Sequence, residues 1–190
     1  MILPIYLYGH PVLTSPALDV DLMDPILPGL IQDMFETMYA ASGVGLAAPQ
    51  IGRPMKLFVM DASGFDEKRF AQEKRVFVNP IILQEEGEPW PFNEGCLSIP
   101  DVRGDVLRKP RVQVEWTDQD GKRQLQWFDD MPARIIQHEY DHLLGKLFVG
   151  YLSPLRRQMV QRRLQSIQKG STNAAYPVCA ASPPGGRTKR

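Results

Sequence analysis

Cysteine is scarce in this sequence: only Cys96 and Cys179 occur among its 190 residues. Two cysteines make at most one bridge, so a secreted scaffold stapled by several disulfides is excluded and a reducing compartment is expected. Long apolar runs are missing as well. No stretch approaches the roughly 18 apolar residues that a membrane-crossing helix needs. The N-terminal stretch lacks a basic segment and carries Pro4 and Pro11 in and after its apolar part, so it does not read as a signal peptide. A cytoplasmic protein without membrane contact is the expectation. Net charge is absent too: 22 Lys and Arg balance 22 Asp and Glu, which removes the bulk electrostatic argument for a DNA binder. What remains is a globular composition, 43% hydrophobic and 23% charged, in a chain long enough for one sizeable core.

Acidic side chains are also absent from one end. The last is Asp141, and residues 142–190 carry nine bases: Lys146, Arg156, Arg157, Arg162, Arg163, Lys169, Arg187, Lys189 and Arg190. Such asymmetry suggests either an anionic partner or simply a solvated helix.

Periodicity places the elements. Leu30, Ile31, Met34, Phe35 and Met38 recur at helical spacing, with Asp24 as cap and Pro25 in the first turn, and predict a helix over 25–42. Segments 56–60, 75–79, 112–116 and 123–128 are rich in β-formers, and Asp120-Gly121 between the last two reads as a hairpin turn. A second helix should run from Met131 to about Leu144, with Pro132 in its first turn and Gly145 beyond. A third covers about 154–168, with Met159, Val160, Leu164 and Ile167 as a rough apolar stripe. Residues 169–190 are rich in Gly, Pro, Ala and Ser, with little to bury, and are expected to be a flexible tail that leaves Cys179 an exposed thiol.

The second helix carries the chemistry. In Gln137-His138-Glu139-Tyr140-Asp141-His142 the two histidines stand four apart, roughly 40° from one another around the axis, near enough to bind one metal ion. Glu139 flanks that face, where a general base for a metal-activated water would stand. The competing interpretation is a surface helix with two incidental histidines, and a third ligand decides between them. One zinc peptidase pattern would put that ligand at position 148, which is Phe148. A second would use a downstream glutamate, and nothing after Asp141 is acidic. The ligand must therefore come from upstream or from Cys179. Cys96, in Glu94-Gly95-Cys96-Leu97-Ser98-Ile99-Pro100, is the best candidate, because glycine and proline bracket a segment able to pass close beneath the helix. Two imidazoles and one thiolate leave a tetrahedral ion one position short, the mark of a catalytic site. A zinc-stabilised binding module would instead need a fourth protein ligand, such as His10 or Cys179. His10 reads more simply as a surface or capping residue.

Three segments, Gly43-Val44-Gly45-Leu46-Ala47-Ala48-Pro49-Gln50, Glu94 to Ser98 and Gln137 to His142, together resemble the peptide deformylases in motif, order and spacing. The likeness covers residues 1–168, read as one catalytic domain. With the residue pattern it implies an α+β fold, antiparallel strands packed around a central metal-bearing helix, with a C-terminal helix. It implies removal of the formyl group from N-formylmethionyl nascent peptides, with Fe2+ as the usual native ion and Zn2+ or Ni2+ as alternatives, all of which suit Cys96, His138 and His142. By the same likeness Glu139 moves the proton, and the Gln50 amide and Leu97 N–H meet the oxyanion. Gly43 and Gly45 offer unobstructed backbone for an extended peptide, and Gly95 is counted with the residues that bind substrate. Helix geometry puts Met131 and Ile135 on the face of His138 as walls of a pocket for the methionine side chain. Val44 joins them by resemblance. The alternative enzyme is a metallopeptidase cleaving internal peptide bonds. The basic third helix is a candidate for docking on the ribosome.

Overall fold

The computed structural model describes residues 1–181. In chain order its elements are β1 (Ile5–Tyr6), α1 (Leu27–Ala40), β2 (Gly45–Ala47), β3 (Leu57–Asp61), α2 (Glu67–Phe70), β4 (Lys74–Glu86), β5 (Trp90–Cys96), β6 (Ile99–Arg108), β7 (Arg111–Thr117), β8 (Arg123–Asp129), α3 (Asp130–Leu143), α4 (Pro154–Gln168) and β9 (Val178–Cys179). They form an α+β fold with a five-stranded antiparallel sheet ordered β2-β3-β4-β7-β8, a separate β5-β6 hairpin and a small parallel pair, β1-β9.

Alternation explains the strands. Val112, Val114 and Trp116 of β7 are buried while their neighbours are not, the period-two pattern of a sheet with one face on the core. β7 and β8 pair from Arg111↔Asp129 to Thr117↔Arg123, the hairpin that the Asp-Gly turn predicts. The buried face stacks Phe58, Phe77, Trp116 and Phe128 beneath α3. A second cluster lies between α1 and the outer strands, where Leu27, Leu30, Ile31, Met34 and Met38 meet Leu46, Leu57 and Val59. The third gathers Leu7, Leu13, Ile99, Val106, Phe148, Val160, Leu164 and Ile167 under α4.

The sequence-based boundaries need three corrections. α1 begins at Leu27 rather than at residue 25, because Asp24 spends its carboxylate on the Ile26 N–H (3.0 Å) in a turn that precedes the helix. β4 runs on to Glu86, past the expected end at 79, through a register shift in which Asn79 takes a positive φ of 50° ahead of Pro80. That bulge lets a proline sit inside a long strand.

The tail is the third. Gly170, at φ 80°, ends α4 and reverses the chain. Pro177 and Cys179 carbonyls then accept from the N–H groups of Ile5 and Leu7 (both 2.9 Å), forming the β1-β9 pair. Cys179 is thus half-buried in a strand rather than an exposed thiol. The remaining part of the expected tail, 182–190, lies outside the described residues. On α4, Val160, Leu164 and Ile167 are buried as the apolar stripe predicts, but Met159 is 66% exposed.

Candidate metal centre

α3 crosses the middle of the molecule, packed on β2, β3, β7 and β8. Its end is fixed by Gly145 at φ 70°, where a Cβ would stand 2.7 Å from the Thr14 carbonyl carbon. On this helix His138 and His142 face the same way, with ring centroids 5.2 Å apart. Cys96 arrives from the end of β5. A bulge between Gly95 and Cys96 breaks the hairpin register, so that Gly95 pairs with Arg103 and Cys96 with Ile99, and such a bulge re-aims the side chain that follows it. Its Sγ lies 3.3 Å from His142 Nε2. One donor atom from each of Cys96, His138 and His142 falls within 4.8 Å of the others, and among the described residues no carboxylate, nor His10 or Cys179, belongs to the group. His10 caps a short 3-10 turn, accepting from Val12 N.

The charges fit a cation at this point. Burial pushes His142 well below its usual range, which keeps its imidazole neutral and able to ligate. Burial also pushes His138 down, but its contacts with Cys96 and Glu94 outweigh that and hold it up at about 10. A thiolate and two imidazoles suit a borderline-soft divalent ion.

Glu94 anchors the arrangement. Its Oε2 is 3.0 Å from His138 Nδ1, which leaves the other ring nitrogen facing the cysteine side. The same carboxylate accepts from Arg108 Nε (2.8 Å) and Nη2 (3.1 Å) and from Arg134 Nη1 (2.8 Å). Arg108 also reaches Asp141 Oδ2 at 2.8 Å. Arg134 lies over the Trp90 ring, 4.1 Å from its centroid, at the edge of the cleft. Sequence reasoning missed this cluster, although Glu94 stands two residues before Cys96 and Arg134 four before His138.

Glu139 is 4% exposed and its Oε2 has no protein partner. Burial raises its carboxyl to about 7, against the opposing pull of His138 and Arg108. It packs directly on Gly45: a Cβ there would overlap its carboxylate. If this carboxyl acts in a reaction, the Gly45→Ala variant should keep its fold and its metal yet lose about 100-fold in turnover, since a shift near 1 Å of a reacting group has that effect. Steady-state kinetics checks this, and turnover within threefold of the parent would refute it.

Gln50 is fixed by its own backbone surroundings. Its Oε1 accepts from Ala47 N (2.8 Å), so its Nε2 must point the other way, to Ser98 Oγ (3.3 Å) and toward Cys96 Sγ (3.5 Å). The cleft, about 660 Å3, is lined by Val44, Gly45, Gln50, Gly95, Cys96, Leu97, Met131, Ile135, His138 and Glu139, with His142 behind them. Every site residue singled out from sequence is thus at or against one cavity. Sequence reasoning did not anticipate Phe65, Phe92 and Asn173 to Tyr176, which complete its walls.

The arrangement offers a cation site, a buried carboxyl of raised pKa, an aimed amide donor and an apolar recess, a combination suited to amide hydrolysis. Residues 2–158 match the family model described as Polypeptide deformylase. The chain is similar to the peptide deformylase of Flavobacterium johnsoniae, 47% identical with 98% of this chain and 100% of the relative covered. It is likewise similar to that of Christiangramia forsetii, 46% identical with coverages of 94% and 95%. Among solved structures, a peptide deformylase from Legionella pneumophila superposes with a TM-score of 0.81 at 42% identity, covering 91% of this chain and 99% of that one. The Thermus thermophilus enzyme does so with 0.80 at 37%, covering 90% and 100%.

Proposed function

The chain belongs to the peptide deformylase family and removes the formyl group from N-terminal formylmethionine; we propose that it does so with Cys96, His138 and His142 holding one Fe2+ ion. The observation that carries this reading is the convergence of those three donors beside the partner-free Glu139. Zn2+ and Ni2+ suit the same donors, and Fe2+ is preferred on family resemblance. When bound, the ion supplies Lewis acidity next to the formyl group.

The chain's own residues do the rest. Val44, Met131 and Ile135 take the methionine side chain, and the backbone at Gly45 and Gly95 lies along the extended peptide. Glu139 removes a proton from the attacking water, whose oxygen bonds to the formyl carbon. The Gln50 Nε2 and the Leu97 N–H donate to the oxygen on which negative charge develops. Glu139 then passes the proton to the departing amine, the C–N bond breaks and formate leaves. Glu94 holds the His138 ring throughout.

Anaerobic purification with metal analysis, followed by a formate-release assay on formyl-Met-Ala-Ser, tests the assignment. One ion per chain and loss of activity on chelation are expected. Full turnover in chelated, metal-free protein would overturn it.

No helix among the described residues is long and apolar enough to cross a membrane. Formylated nascent peptides as substrates favour a cytoplasmic location beside the ribosome, and the basic face of α4 is the surface proposed to dock there. Arg156 and Arg163 are half-buried and held by the Arg103 carbonyl and Asp101, whereas Arg162 is exposed, as is Arg157, which also donates to the Gly150 carbonyl, so Arg157 and Arg162 are the residues to reverse. If R157E/R162E sediments with ribosomes at low salt as well as the parent does, the docking surface is elsewhere.

A further inference from the structure

The segment after α4 lies beyond the residues matched by the family model, which end at 158, yet it returns to the cleft. It is tied down at both ends, by Arg163 Nη1 on the Ser171 carbonyl (3.2 Å) and by the pairing of Pro177 and Cys179 with Ile5 and Leu7. Between these ties, Asn173, Ala174, Ala175 and Tyr176 form part of the cleft wall. The Tyr176 hydroxyl donates to the Leu97 carbonyl at 2.8 Å. Burial pushes this phenol up to about 12, helped by Cys96 and Asp101, so it remains a donor at any working pH.

Leu97 and Ser98 form the two-residue turn between β5 and β6, whose carbonyls have no partner within the hairpin ladder. Both find donors outside it. Tyr8 N–H donates to the Ser98 carbonyl at 2.8 Å, and Tyr176 takes the Leu97 carbonyl. Residues flanking the β1-β9 pair thus key the turn from two sides, and the Leu97 side chain rests against Gly43, where a Cβ would lie 2.8 Å from its Cδ1.

We propose that Tyr176 is a positioning residue for deformylation: its hydrogen bond fixes the Leu97–Ser98 turn and thereby aims the Leu97 N–H at the developing oxyanion. This rests on the reading of that N–H as an oxyanion donor. An oxyanion donor acts on the transition state rather than on the bound substrate, so its misplacement appears in kcat and not in KM.

The test compares full-length parent, Tyr176→Phe and Tyr176→Ala on formyl-Met-Ala-Ser, with metal content and Tm measured alongside. Tyr176→Phe should lose about 5- to 30-fold in kcat, less than deletion of a whole donor, with KM, metal and Tm within error. Tyr176→Ala should show the same loss plus a raised KM, because it also removes part of the wall. A fall in Tm with kcat within twofold of the parent would mean that the tyrosine only holds the fold, and the proposal is then wrong. A third variant, with leucic acid in place of Leu97, replaces that N–H by an ester oxygen. If the ester keeps full kcat, the donor reading itself fails and takes this inference with it. If the ester is slow and Tyr176→Phe is not, only the positioning role is overturned.

Discussion

Glu139→Gln should lower kcat about 100- to 10,000-fold while leaving the metal in place, the range by which a positioned acid–base group accelerates such reactions. Three features of the carboxyl argue for so large an effect. It is buried and its Oε2 has no protein partner, so it contributes nothing obvious to the fold. Burial places its pKa at about 7, where it can both take and return a proton near neutral pH. It also lies directly against Gly45, which leaves it no room on that side. Glutamine has the same shape, so packing and the donors at 96, 138 and 142 are undisturbed. Stability should stay level or rise, because an unpartnered buried carboxyl is unfavourable when charged. Formate release and metal analysis on one preparation decide the matter: kcat within tenfold of the parent with metal retained would remove Glu139 from the chemistry.

Glu94→Ala should have the largest effect on stability. The carboxylate is 4% exposed and receives two donors from Arg108, one from Arg134 and one from His138. Its removal leaves Arg108, 7% exposed, with Asp141 alone. Arg134, 2% exposed, keeps only the carbonyls of Trp90 and Val106. Breaking one partner out of a buried ionic group typically costs about 3–5 kcal/mol. For a chain of this size that is a Tm lowered by roughly 6–20 °C. Metal affinity should fall with it, about 10- to 100-fold, as His138 loses its orienting acceptor.

The acid limb of stability carries the same signature. Burial pushes Glu94 up, but His138 and Arg108 hold it at about 2, below the usual 4.5. A depressed carboxylate stabilises the fold fully above its unfolded value and loses that contribution as pH falls through the folded one. In metal-free protein the parent should therefore lose stability between about pH 4.5 and 2, and Glu94→Ala should lose less there. Thermal melts across that range are the check. A Tm within 3 °C of the parent at neutral pH would contradict the assigned role.

Local chemistry made much of the site legible. His138, Glu139 and His142 follow from helix geometry alone, and the bounds of α3 from Pro132 and Gly145. Cys96 could be chosen because carboxylates are missing downstream and glycine precedes it. The Glu94–Arg108–Arg134 cluster escaped notice because it joins positions 14 and 40 residues apart, which no periodicity links. The β5-β6 hairpin was hidden by the charges on its outer face, although Val102, Gly104 and Val106 do alternate inward. The segment 170–181 looked structureless because composition measures what side chains can bury. β9 is held in part by backbone groups, which every sequence possesses.

That last contact turns two amides near one end of the chain into reporters on the other. The N–H groups of Ile5 and Leu7 are bonded to the carbonyls of Pro177 and Cys179, so their deuterium uptake is governed by how often the far segment lifts away. Following those two exchange rates as substrate is added would show whether catalysis proceeds with the strap closed, without a label anywhere near the reacting atoms.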